Sequence, residues 1–142
     1  MKISAKTEYA CIAMLELAER FGSGEPVRIR TIAEEHGVPA RFLVQILLQL
    51  KGAGFVTSTR GASGGYQLVK APEEISLGEV MSVIEGAAEP ITSSASPESR
   101  SAKVLQAAWQ EVADVERHAL YSITFADLIE RARKSSENMY YI

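Results

Sequence analysis

The residues with the most chemistry to offer surround a glycine-rich turn, Thr59-Arg60-Gly61-Ala62-Ser63-Gly64-Gly65-Tyr66. Glycines let backbone come close to a phosphate and adopt positive φ, and an Arg beside them can enter a narrow, strongly negative minor groove. A second group is Pro39-Ala40-Arg41 with Val44 and Gln45, which places Arg and Gln four residues apart on one helical face. Arg pairs bidentately with guanine and Gln with adenine. Neither group is catalytic. Ser63 lacks a His and an acid in triad order, and the turn is too short for a P-loop and lacks its Lys, so no enzyme is expected. The single cysteine, Cys11, allows no intramolecular disulfide, and with only His36 and His118 beside it no zinc cage is expected either. Cys11 reads first as a small packing residue; the alternative, a redox switch, needs an exposed thiol of lowered pKa.

Apolar spacing supplies the elements that would position these groups. Tyr9, Ile12, Ala13, Leu17 and Phe21 predict a helix over 7–21, stopped by Gly22-Ser23-Gly24-Glu25-Pro26. A short helix over 29–36 ends at Gly37. Pro39 then sits at the first position of a third helix, where its missing N–H costs nothing, and Leu43, Ile46, Leu47 and Leu50 turn inward. Two helices joined by such a Gly-containing turn form a helix-turn-helix. Phe55 to Thr59 and Tyr66 to Val69 alternate as strands of a hairpin, and a hairpin in this place is a wing that must lean on the helices. Ser76-Leu77-Gly78-Glu79 is a capping box that opens a fourth helix. After a Ser-, Ala- and Pro-rich loop, the longest helix runs over 101–120, with Leu105, Trp109, Val112 and Val115 on a stripe widened by Ala108 and Ala119. Thr124-Phe125-Ala126-Asp127 opens a last, short helix with Leu128 and Ile129. The fold class expected is therefore mainly α with a two-stranded β wing. Residues 1–86 form the winged helix-turn-helix head, 87–100 a linker, and 101–142 a long helix and a C-terminal helix.

The net charge of −3 conceals an asymmetry. Residues 28–70 hold six basic and two acidic residues, and the remainder nine basic and sixteen acidic. A cationic head joined to an acidic half is what a DNA reader with a protein-facing partner element would show. The apolar fraction of 46% supports a real core in these 142 residues. No apolar run reaches the roughly 18–20 residues of a membrane span. The opening residues lack the apolar centre of an export signal, so a cytoplasmic protein without membrane contact is expected.

Arg60-Gly61-Ala62-Ser63-Gly64-Gly65-Tyr66-Gln67-Leu68 resembles the wing signature of the Rrf-two family of transcriptional regulators, which includes iron–sulfur regulators of the IscR type and cysteine-metabolism repressors of the CymR type. Met1-Lys2-Ile3-Ser4-Ala5-Lys6-Thr7-Glu8-Tyr9-Ala10, Leu77-Gly78-Glu79-Val80 and Ile123-Thr124-Phe125-Ala126-Asp127-Leu128 are similar in order and spacing. Asn138-Met139-Tyr140-Tyr141-Ile142 resembles the tail of CymR-type members.

The resemblance implies a homodimer joined through its long helices at Leu105, Trp109, Val112 and Val115, with two heads on palindromic double-stranded DNA. It implies that Arg41 and Gln45 read the major groove and Arg60 the minor groove. Arg28, Thr31, Thr59 and Ser63 would touch phosphates, with Pro39, Ala40 and Val44 at the same surface. It further implies repression of sulfur, cysteine, redox or iron–sulfur genes, and a partner enzyme such as a cysteine synthase. Many members carry Glu where this chain has Val44, so its target sequence need not be a relative's. Cluster-binding members place three cysteines before the long helix; residues 91–103 here contain none, and no cofactor is expected. Two other readings stand beside this one: a redox-sensing regulator acting through Cys11, and a protein-interaction module in which the head never meets DNA.

Overall fold

The computed structural model describes residues 1–140, the last three by backbone alone; the side chains of 138–142, which carry part of the resemblance, fall outside the described residues. Six helices and one hairpin follow in the order α1 (Ala5–Glu19), α2 (Ile29–His36), α3 (Ala40–Gly52), β1 (Val56–Thr59), β2 (Gly65–Leu68), α4 (Leu77–Glu85), α5 (Arg100–Ser122) and α6 (Phe125–Tyr140). A single 3₁₀ turn at Pro72–Glu74 precedes α4. The mainly α architecture with a two-stranded wing is the one expected.

α1 is the hub, packing against α2, α3, α4, α6 and β2. It begins two residues earlier than its apolar spacing predicts because Ser4 caps it, the Ser4 Oγ accepting from the Thr7 N–H at 3.1 Å. Its inward side is Ala10, Ala13, Met14 and Leu17. Phe21, expected on that side, lies beyond the helix end and is exposed. α2 ends where predicted, with Gly37 left-handed at φ 64°. Pro39 occupies the N-cap of α3 rather than its first turn, one position earlier than expected. Leu43, Ile46, Leu47 and Leu50 are fully buried, as their spacing requires.

β1 and β2 pair antiparallel, with Val56 opposite Leu68 and Thr59 opposite Gly65. A two-stranded ribbon is marginal in water, and this one gains a third contact. Val27 and Tyr66 exchange backbone hydrogen bonds, each 2.8 Å, ahead of α2.

α4 opens at Ser76, whose Oγ accepts from the Glu79 N–H at 3.2 Å. α5 touches α4 along one edge, where the Tyr121 ring lies so close over Gly78 that a Cβ there would run into it. No residue of α5 is buried. α6 is sixteen residues long, not short. Its start is held by the Thr124–Asp127 pair, each side chain accepting from the other's backbone N–H, at 3.1 and 3.0 Å. Phe125 is fully buried in the same core as α1, α3 and α4, and its N–H reaches back to the Ile75 carbonyl at 2.9 Å. The C-terminal helix, expected to belong with residues 101–142, thus contributes to the core of the head. No helix among the described residues is long and apolar enough to cross a membrane.

Candidate nucleic-acid interface

Six cations lie between residues 28 and 70, and the fold engages them to different degrees. Arg30 is bound to Glu34 at 2.9 Å, Lys51 donates to the Ser58 Oγ at 2.7 Å, and Lys70 lies 5.5 Å over the Phe55 ring. The Lys51 contact ties the end of α3 to the wing. Arg28, Arg41 and Arg60 make no ion pair or side-chain hydrogen bond among the described residues, and all three are exposed. Arg28 stands at the N-cap of α2, Arg41 in the first turn of α3, and Arg60 at the wing tip.

The start of α3 presents Pro39, Ala40, Arg41, Val44 and Gln45, all exposed as expected. Arg41 is not extended freely into solvent: its guanidinium lies 5.1 Å over the Phe42 ring, and Phe42 in turn packs at 5.9 Å against Tyr9 of α1. The aromatic pair therefore orients a cation at the mouth of the recognition helix while leaving its N–H donors free. Leu48 is exposed on the same side of α3, one turn beyond Val44. The inward spacing of α3 could have revealed it, since Leu48, like Phe42 and Val44, does not fit the Leu43, Ile46, Leu47, Leu50 stripe.

The wing turn is built on glycines that accept no substitute easily. Gly61 has φ 100° and its carbonyl accepts from the Gly64 N–H at 3.0 Å. A Cβ on Gly64 would strike the Thr59 carbonyl, and one on Gly65 the Val27 carbonyl. Arg60, Ser63 and Thr59 are exposed around this turn, and Thr31 is half-buried on α2. Tyr66 packs on the core, so it braces the wing.

Three other groups complete the survey. Cys11 is half-buried against the core, and burial, with the Glu85 carboxylate adding to it, pushes its thiol up to about 11. That is the opposite of the lowered pKa a redox switch needs, and it favours the packing reading of Cys11 over the redox alternative. Glu16, Glu35 and His36 bring ligand-type atoms within 4.8 Å of one another, a grouping that spacing along the chain does not show because Glu16 comes from α1. Glu16 is already engaged by Arg20 at 3.0 Å and His36 at 3.2 Å, which makes the group a clamp of α2 onto α1. On α5, Leu105, Trp109, Val112 and Val115 are exposed, and Val104, not anticipated, joins them.

A family model described as Rrf2, iron-dependent transcriptional regulator, matches residues 3–131. The chain is 34% identical over 143 residues to the HTH-type transcriptional regulator CymR of Bacillus subtilis (strain 168), covering all of both chains. Among solved structures it is similar to CymR, the global cysteine regulator of B. subtilis, with TM-score 0.81 and 33% identity over 92% of this chain and 98% of that one. It is also similar to T. potens IscR, with TM-score 0.78 and 35% identity over 95% and 90%. With its helix-turn-helix, its glycine-built wing and this match along nearly its whole length, the chain belongs to the Rrf2 family of transcriptional regulators.

Proposed function

We propose that the protein is a homodimeric repressor that binds palindromic promoter sites, with α3 in the major groove and the wing in the minor groove. The observation that carries this reading is the division of the cations. Of the four that make no ion pair or side-chain hydrogen bond among the described residues, three stand at the start of α2, the start of α3 and the wing tip, and the fourth is Lys70. In this reading Arg41 and Gln45 contact base edges and Arg60 enters the minor groove. Arg28, Thr31, Thr59 and Ser63 meet phosphates, with Pro39 and Ala40 packed alongside. Residues 1–86, with α6 packed into their core, act as the reading head, 87–100 as a linker, and α5 as the seam between two copies. A twofold pair of heads suits half-sites about one helical turn apart.

The target genes are read as those of sulfur and cysteine metabolism from the likeness to the cysteine regulator. A cysteine synthase as protein partner is carried from the family resemblance alone. The donor set does not suit the iron–sulfur cluster found in some relatives. The segment before α5 offers hydroxyls and carboxylates, and the chain's one thiol is held protonated on α1. The regulator is therefore proposed to work without a resident cluster.

Selection of genomic fragments by the purified protein tests the function. One palindromic motif should be enriched, and its affinity should fall steeply as salt rises. Absence of enrichment at low ionic strength would reject DNA binding and favour the protein-interaction reading.

A further inference from the structure

α3 carries two exposed branched aliphatics on the side that the proposed function turns toward DNA. At 100° per residue, Arg41, Val44, Gln45 and Leu48 fall within an arc of roughly 100°, diametrically opposite the buried Leu43, Ile46, Leu47 and Leu50. Val44 is 47% and Leu48 56% exposed, and nothing among the described residues covers them. We propose that Val44 and Leu48 read thymine methyl groups in the major groove, so that recognition of A·T pairs in each half-site depends on the C5-methyl. The inference rests on the DNA-binding reading above.

Three considerations select base edges over a protein as the occupant. The arc also holds the unpaired Arg41, and the segment around it carries an excess of four positive charges. A protein covering Val44 and Leu48 would have to bury that cation as well, whereas a duplex supplies phosphates to it. Second, the thymine methyl is the one apolar group that the major groove displays. Val and Leu neither donate nor accept, so they cannot distinguish guanine, cytosine or adenine by hydrogen bonding. Third, Val44 and Leu48 lie about 6 Å apart along the helix axis, nearly two base-pair steps, so one half-site can offer a methyl to each.

The test uses the motif obtained by fragment selection, resynthesised with deoxyuridine in place of each thymine in turn, in both half-sites. Affinity of the full-length protein for each duplex is measured at fixed salt. The expected result is one or two positions per half-site at which loss of the methyl weakens binding about fourfold, the weight of one buried methyl. Val44→Ala and Leu48→Ala should each erase the thymine preference at one of those positions and leave it at the other. Equal affinity for thymine and uracil duplexes at every position would overturn the proposal while leaving DNA binding intact. So would full retention of the preference in both variants. If Leu48→Ala instead changes the protein's mass in solution and leaves the thymine preference untouched, Leu48 is a protein contact and its assignment falls. Failure to enrich any motif would sink the underlying DNA reading, a result distinguishable from these.

Discussion

α3 and α5 both expose branched aliphatic side chains, yet their surroundings differ in two ways. The back of α3 is anchored by four leucine or isoleucine side chains with no solvent exposure, whereas α5 has no buried residue and meets the head along one edge. The exposed arc of α3 contains Arg41 and is followed by Lys51 with no acidic residue, while α5 balances Arg100, Lys103 and Arg117 against Glu111, Asp114 and Glu116. Exposed apolar area on a cationic, rigid helix suits a polyanion. The same area on a long helix of balanced charge, about 35 Å from end to end, suits a second copy of itself. What covers a hydrophobic face is decided by the charges beside it and by how firmly its own back is held.

The most severe way to break this contrast is to charge α5. Val112 is 65% exposed, so Val112→Asp removes nothing from the core of a single chain. If α5 is the seam, the variant places an uncompensated carboxylate from each copy in one apolar interface. The expected outcome is half the mass by light scattering, an unchanged fold of the head, and operator affinity at least about 100-fold weaker once the two heads no longer bind as one unit. An unchanged mass would remove α5 from the interface.

Arg60→Ala probes the other side of the comparison and should cost less. The side chain is exposed and has no partner among the described residues, so thermal stability should stay the same. Operator binding should weaken about tenfold or more, and the slope of log affinity against log salt should become shallower by about one for each head. A stable variant with undiminished affinity would show that the wing tip never reaches the duplex.

Much of the head is legible in the sequence because its constraints are local. The end of α2 follows from Gly37, whose left-handed backbone tolerates little else, and the wing from glycines beside alternating strand residues. The core side of α3 follows from its period. Other features are tertiary and leave no local trace. The helical pattern of α6 fades after Ile129 into charged and hydroxyl residues, so its sixteen residues go unread; capping at Thr124 and packing of Phe125 on the head hold its start. Phe21 fits the spacing of α1 but falls past its last turn. The site is legible in its cations but not in their pairing. Only the fold shows that Arg30 and Lys51 are engaged by polar side chains while Arg28, Arg41 and Arg60 make no such contact among the described residues.

The rigidity assigned to the head can be sharpened through Glu16, which joins α1 to α2. Burial drives its carboxyl upward, but hydrogen bonds from His36 and Arg20, with the charge of Arg20, outweigh that and hold it below the usual carboxylate value. A depressed folded pKa means stabilisation that is present above the unfolded value, near 4.5, and lost as pH falls through the folded one. Glu16→Gln should therefore lower stability at pH 7 by about 1–2 kcal/mol, and the gap to the wild type should close toward pH 3, as read from urea midpoints. A gap that persists in acid would mean that the clamp acts by packing rather than charge.

The smallest expected effect belongs to Cys11, which lies on neither face. With its thiol raised to about 11, Cys11 is held as the unreactive thiol at neutral pH. The neighbouring Glu85 keeps its charge, because Thr7 and Ser4 donate to its carboxylate at 2.6 and 2.9 Å and lower its pKa. An anion held there opposes formation of a second one on sulfur. Iodoacetamide should label the folded protein far more slowly than a free cysteine, and labelling should accelerate in urea. Operator affinity before and after dilute peroxide should be the same for the wild type and for Cys11→Ser. Rapid labelling of the native protein, or peroxide release of DNA that the serine variant abolishes, would favour the redox reading. It would also require α1 to open far enough to expose a residue that now packs against the core of the head.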